Sequence, residues 1–202
     1  MDKDRLRFAH DLYRASREHD EACPNRLERF RNLEPQTAEL ISLLIRASDA
    51  RCVLELGTSN GYSTIWLADA VQDTGGELTS VEIDPARTEL ARENLRRLEL
   101  ADRVELRTED AQLTLTRSDA ARWDFVFLDA ERAAYPSYVP DLVRVLAPGG
   151  VLAVDNVISH QHELHTFTDL IEARGDLTQA VVPVGAGLRL AVRARAGVES
   201  SL

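Results

Sequence analysis

The sequence predicts an α/β protein: a Rossmann-like, seven-stranded, mostly parallel sheet with helices on both faces and a C-terminal antiparallel β-hairpin. Three observations carry that expectation. Apolar runs of strand length alternate with amphipathic helical patterns, as strands buried on both faces require. The first run, 53–56, leads into Gly57-Thr58-Ser59-Asn60-Gly61, a glycine-bracketed turn followed by an apolar helical pattern from Ile65. Near the end of the chain, two strand-like segments, 178–184 and 188–192, are joined by Gly185-Ala186-Gly187, which predicts a hairpin.

The elements follow in order. Residues 2–20 read as a helix that is polar on most sides, and 35–47 as a helix with a broad apolar face of Leu40, Ile41, Leu43, Leu44 and Ile45. A strand over 51–56 precedes a helix over 62–72, and Asp73-Thr74-Gly75-Gly76 is a turn. A strand over 77–82 ends on Glu82. Asp84-Pro85 then starts a helix, an N-cap acceptor followed by proline at the first helical position, with Leu90, Ala91, Leu95 and Leu98 at helical spacing. A strand over 103–107 leads to a helix opening near Asp110. The run 123–129 is apolar at its centre and ends on Asp129. A helix over 135–146 is predicted to stop at Ala147-Pro148-Gly149-Gly150, before a strand over 151–155. A last helix carries Leu164, Phe167, Leu170 and Ile171 and ends near Gly175. Residues after Arg195 read as a frayed tail.

At 202 residues, 44% hydrophobic and 29% charged, the chain has the make-up of one ordinary domain: a helical N-terminal segment over 1–47 and a core over 48–195. The formal net charge of -10 argues against a nucleic-acid or anionic-membrane binder. The arginines of the N-terminal segment, among them Arg26, Arg29 and Arg31, read as a solvated helix face. Cys23 and Cys52 form no CxxC pair and imply no disulfide framework. No apolar run approaches the roughly 20 residues that span a bilayer. The charged start of the chain does not resemble a signal peptide, so a reducing cytoplasm is the expected compartment.

Glu55, Glu82, Asp129 and Asp155 fall at the carboxyl ends of predicted strands, and therefore along the rim where open α/β sheets hold ligands. Any one of them could simply cap the following helix. Four on one rim would repel one another unless cations or hydroxyl donors stood among them. Glu82 is placed to accept both hydroxyls of a ribose, and Asp110 to meet a base edge. Glu55 and the Gly57–Gly61 loop would meet an amino-acid moiety. The loop lacks G-x-G-x-x-G, which disfavours a pyrophosphate on the helix N-terminus. A phosphate-free nucleoside bearing an amino acid fits better, and S-adenosylmethionine is one. A nicotinamide-dependent oxidoreductase with a variant glycine loop, and a non-catalytic cofactor-binding module, are the alternatives. Asp129, Asp155 and Asn156 offer hard oxygen ligands suited to Mg²⁺, Mn²⁺ or Ca²⁺. His160, His162 and His165 are read as solvated side chains at a helix start rather than as ligands.

With these residues in place, the chain resembles the class I S-adenosylmethionine-dependent O-methyltransferases, in particular the cation-dependent group of catechol and caffeoyl-coenzyme A O-methyltransferases. The resemblance runs from about Asn32 to Val192. It rests on Val53-Leu54-Glu55-Leu56-Gly57-Thr58-Ser59-Asn60-Gly61-Tyr62-Ser63, Val81-Glu82-Ile83-Asp84-Pro85, Asp110-Ala111-Gln112, residues 127–135, and residues 149–156 with Asp155-Asn156. It implies that Glu55, Gly57, Ser59, Gly61, Tyr62 and Ser63 surround the methionine part of the cofactor. Glu82 would hold the ribose, while Ile83, Asp110 and Ala111 frame the adenine. Asp129 would face both cofactor and cation, with Asp155 and Asn156 completing the protein ligands. Leu33 and Pro35 match the segment that closes over the cofactor. A small-molecule hydroxyl acceptor and a homodimer are implied, and methylation of a hydroxylated tRNA base is a related alternative. Two departures stand out. Arg132 occupies the place of a lysine regarded as the base or orienting cation for the acceptor hydroxyl, and arginine does not accept a proton at neutral pH. Its plainest structural reading is a surface salt bridge. Ala186 replaces an aspartate common among relatives.

Overall fold

The computed structural model describes residues 1–195, and the tail expected after Arg195 lies outside them. The elements are α1 (Lys3–Ala22), α2 (Pro35–Ala47), β1 (Cys52–Leu56), α3 (Tyr62–Thr74), β2 (Glu77–Glu82), α4 (Pro85–Arg97) and β3 (Val104–Thr108). They continue with α5 (Ala111–Arg117), β4 (Trp123–Leu128), α6 (Tyr135–Val145), β5 (Leu146–Val154), α7 (Gln161–Glu172), β6 (Leu177–Val182) and β7 (Leu188–Arg193). Short 3-10 turns occupy Arg26–Glu28, Ala101–Arg103 and Arg132–Ala134.

One sheet holds all seven strands in the order β3-β2-β1-β4-β5-β7-β6. The first five strands pair in parallel, and β7 lies antiparallel between β5 and β6. The apolar strands are buried on both faces, and alternate residues serve the two layers. Val53, Phe125, Phe127 and Ala153 pack with α1, α2 and α3 on one face. Leu54, Leu56, Val126, Leu128, Leu152 and Val154 pack with α5, α6 and α7 on the other. This period of two is what a strand geometrically imposes.

Although polar overall, α1 is a helix with a usable stripe. Asp2 caps it by accepting from the Asp4 and Arg5 amides at 2.9 Å. Leu6, Leu12 and Tyr13 pack with the buried Ala9 into the core. Asp84 and Asp110 cap α4 and α5 through the Ala86 and Gln112 amides at 2.8 and 2.7 Å.

One boundary differs from expectation. The stop expected at 147–150 lies inside β5, which already begins at Leu146. Trp123 pairs with Leu146, and Phe125 pairs next with Val151. The intervening residues bulge out of the ladder. A bulge tolerates the missing N–H of Pro148 and the left-handed backbone of Gly149, so the strand is interrupted rather than ended. At the closing hairpin β6 stops at Val182, because Pro183 cannot extend the ladder. Among the described residues, no helix is long and apolar enough to cross a membrane.

Candidate active site

The strand order reverses between β1 and β4, and the crevice of such a sheet opens beyond the carboxyl ends of those strands. Backbone bonds draw the rim into a row. The Gly57 amide donates to Val81 O at 2.9 Å, the Asp129 amide to Leu56 O at 2.9 Å, and the Asp155 amide to Leu128 O at 3.2 Å. The glycine loop, Asp129 and Asp155 are thereby neighbours on successive strands.

Glu55 stands one residue inside β1 and is fully buried. Its carboxylate accepts from Ser63 Oγ at 2.5 Å, and from Thr64 Oγ1 and Ser80 Oγ at 2.6 Å. Burial pushes this carboxyl up to about 7, although the three hydroxyls pull the other way. As placed, Glu55 reaches the loop through Ser63 rather than with a free oxygen. Glu82 Oε2 accepts from the Ser59 amide at 2.8 Å, while Oε1 accepts from the Ile83 and Asp84 amides at 3.0 Å. It therefore ties the loop after β1 to the end of β2. Gly61 precedes α3, and Tyr62 is buried with its hydroxyl unpaired. Ile83 is largely exposed, Asp110 is exposed at the start of α5, and Ala111 is partly buried beside it.

The second constellation is assembled as one unit. Asn156 has a left-handed backbone, and its Nδ2 donates to Asp129 Oδ1 at 3.1 Å and Asp155 Oδ2 at 2.9 Å. Burial and mutual repulsion hold Asp129 well above the usual carboxylate range, and burial pushes Asp155 up to about 6. Asp155 Oδ1 is buried without a partner. An orphaned anionic oxygen beside a second carboxylate fits a hard cation. Rotating the amide of Asn156 would turn its Oδ1 toward Asp129 Oδ1 and Asp155 Oδ2 and supply a third oxygen. Among the described residues, no group of three His, Cys, Asp or Glu is arranged to hold a metal. The candidate set is therefore two carboxylates and an amide, and His160, His162 and His165 form no such cluster.

Arg132 is not on the surface: it is 5% exposed. Its Nε donates to Glu163 Oε2 at 2.7 Å from the first turn of α7. Two of the N-terminal arginines expected on a solvated helix face instead reach a residue of this site. Arg26 and Arg31 lie 2.6 and 3.4 Å from the carboxylate of Glu131, the residue before Arg132. The segment that carries them is tied down elsewhere as well. Asp20 accepts from the Phe30 and Arg31 amides at 2.7 and 2.8 Å, and Ser59 Oγ donates to Phe30 O at 2.9 Å. Pro24 follows the end of α1 at Ala22 and lets these residues leave the helix and cross the rim. Glu34 was also missed. It accepts from the Tyr13 hydroxyl at 2.6 Å and adds to the negative potential on Asp155.

Two clefts lie away from this rim. One of about 380 Å³ sits at the other end of the sheet among Thr79, Arg103, Arg107 and Trp123. One of about 570 Å³ lies against α1 beside Leu6, Tyr13 and Pro35. Neither touches the row of carboxylates, which is defined by its hydrogen bonds and chemistry rather than by depth.

A sequence model of the O-methyltransferase family matches residues 21–193. A catechol O-methyltransferase of Mycobacterium tuberculosis is 41% identical over 123 residues, 61% of this chain and 56% of the relative. A catechol O-methyltransferase of Niastella koreensis is 35% identical over 130 residues, 63% of this chain and 58% of the relative. The matches thus span less than two thirds of either relative's length. An O-methyltransferase of Streptomyces achromogenes, involved in tomaymycin synthesis and solved in complex with SAM, superposes with a TM-score of 0.76 at 30% identity. That superposition covers 96% of this chain and 91% of the other.

Proposed function

The chain belongs to the O-methyltransferase family, and from that premise we propose that it transfers the methyl group of S-adenosylmethionine to a small molecule. The acceptor is a phenolic, catechol-like hydroxyl, and a divalent cation, Mg²⁺ before Mn²⁺ or Ca²⁺, assists. The observation that carries this reading is the Asp129–Asn156–Asp155 unit, with its orphaned carboxylate oxygen, set beside the Gly57 loop.

In this reading Ser59, Gly61, Tyr62 and Ser63 line the methionine part, and Glu55 fixes Ser63 from beneath. Glu82 exchanges backbone donors for ribose hydroxyls, and Ile83, Asp110 and Ala111 flank the base. A cation held by Asp129, Asp155 and Asn156 would lower the pKa of a bound phenol, ordinarily near 10. The acceptor oxygen gives its proton to solvent, its electron pair forms the O–CH₃ bond, and the sulfur keeps the pair of the broken S–CH₃ bond. The protein's task is mainly alignment, since the sulfonium methyl is already activated. Arg132 stays charged, so it does not take the proton. Methylation of a tRNA base is disfavoured by the net charge of -10. Unpaired Cys23 and Cys52 agree with a reducing cytoplasm.

The test combines titration with S-adenosylmethionine and with NAD, and turnover of catechols with and without EDTA. We expect binding of the first alone and EDTA-sensitive methylation. Asp155→Ala should keep cofactor affinity while losing the EDTA-sensitive turnover. Wild-type EDTA-sensitive activity in that variant removes the cation site, and preference for NAD removes the whole reading.

A further inference from the structure

The buried guanidinium of Arg132 is only partly used by the fold. One edge is occupied, through the Nε bond to Glu163. The two terminal nitrogens make no hydrogen bond among the described residues, although the residue is 5% exposed. They are not among the sealed atoms that lack a partner, so the little exposure Arg132 keeps leaves this charged edge accessible to a ligand. Glu163, the one counter-charge paired with it among the described residues, is about half exposed.

The surroundings are cationic on one side and anionic on the other. Arg26 and Arg31 stand at Glu131, next to Arg132. His160 is held below its ordinary pKa by burial and then by Arg132, with Arg26 and Arg31 adding to the effect. Asp129 and Asp155 feel the Arg132 charge across the rim, yet neither lies within ion-pair distance of it. The guanidinium fork is thus left free beside the transfer site, not collapsed onto its carboxylates.

We propose that the terminal nitrogens of Arg132 bind a carboxylate carried by the acceptor, so that the preferred substrate is a phenolic acid rather than a neutral phenol. This rests on the methyl-transfer reading above and adds its substrate class. The planar fork matches a planar carboxylate through two parallel bonds, which a lysine ammonium cannot reproduce. Glu163 holds the fork by Nε and leaves the opposite edge to the ligand. Arg132 is on this account a specificity residue.

The experiment compares 3,4-dihydroxybenzoate with its methyl ester, which differs in charge and keeps both hydroxyls. In the wild-type protein, kcat/KM for the acid should exceed that for the ester by about tenfold or more, chiefly through KM. Arg132→Lys should reduce the acid-to-ester ratio by about tenfold, whatever happens to the absolute rates. Calorimetry in EDTA, on protein loaded with S-adenosylhomocysteine, should show the acid binding more weakly to the variant by a similar factor. A wild-type ratio within about threefold of unity, or a ratio unchanged in Arg132→Lys, overturns the assignment while leaving methyl transfer intact. If neither compound is methylated, the methyl-transfer reading fails separately, and the calorimetric arm alone decides the carboxylate site. If the lysine variant does not fold, the wild-type ratio decides it.

Discussion

Glu55 is a carboxyl group with no exposed atom, satisfied by three hydroxyls from three different positions in the chain. Its pKa near 7 in the fold stands above the value of 4.5 it has when free. The folded state therefore retains a proton that the unfolded chain releases as pH rises past 4.5. Stability should fall as pH rises between about 4.5 and 7, by at most about 1.4 kcal/mol per pH unit, and then level off. Glu55→Gln cannot titrate. Denaturant melts at pH 5 and pH 8 should show the variant gaining on the wild type at the higher pH. Parallel profiles for the two proteins would remove the charge argument. The sequence placed Glu55 at the rim, but its hydroxyl partners come from α3 and β2, and no local pattern announces them. The same holds for Arg132. Its residue type was plain, whereas its burial depends on α7 closing over it with Glu163.

Among the elements, the loop from β1 to α3 is tightly constrained. Gly57 has φ of +105°, and a Cβ there would stand 2.4 Å from the Asp129 carbonyl oxygen. Gly75, at the end of α3, also has positive φ, yet a Cβ there would meet nothing within 4 Å. The two glycines separate conformational strain from collision. Gly75→Ala should cost about 1 kcal/mol, the ordinary penalty for a left-handed non-glycine residue. Gly57→Ala should cost about 3 kcal/mol or more, since backbone must move as well. Thermal or denaturant unfolding gives both numbers, and equal costs would mean that the loop relaxes freely. The elements themselves were legible, because caps, proline positions and apolar periods are local signals. The interrupted start of β5 was not. Pro148-Gly149-Gly150 has the composition of a turn, and only the partner strand β4 keeps it in the sheet.

For the whole molecule, the question is how the N-terminal segment stays over the rim. Arg26 and Arg31 hold Glu131 through pairs that are roughly half exposed, each worth about 0.5 kcal/mol after screening. Arg87 Nη2 adds bonds to Leu27 O and Arg29 O at 2.6 and 2.9 Å. Such a latch is weak and sensitive to salt. Glu131→Gln should speed tryptic cleavage between Arg26 and Arg31 about two- to fivefold. It should also abolish most of the acceleration that salt produces in the wild type. Fragment masses over time report both effects, and unchanged cleavage would show that the segment is held by its hydrogen bonds alone. The lid function expected of residues 1–47 depends on this contact. It was invisible in the sequence because Arg26 and Glu131 are far apart along the chain.

By itself the sequence determined the α/β architecture, the glycine-bracketed turn and the delivery of Glu82, Asp129 and Asp155 to strand ends. All of these follow from local periodicity and from the rule that parallel strands share a rim. Only the tertiary structure decided how those carboxyls are used. It buried Glu55 among hydroxyls, joined Asp129 to Asp155 through Asn156, and set Arg132 inside with only its Nε–H paired among the described residues. Those outcomes depend on which distant segments pack against the rim, and desolvation and charge pairing are fixed by that packing and not by neighbours in the chain.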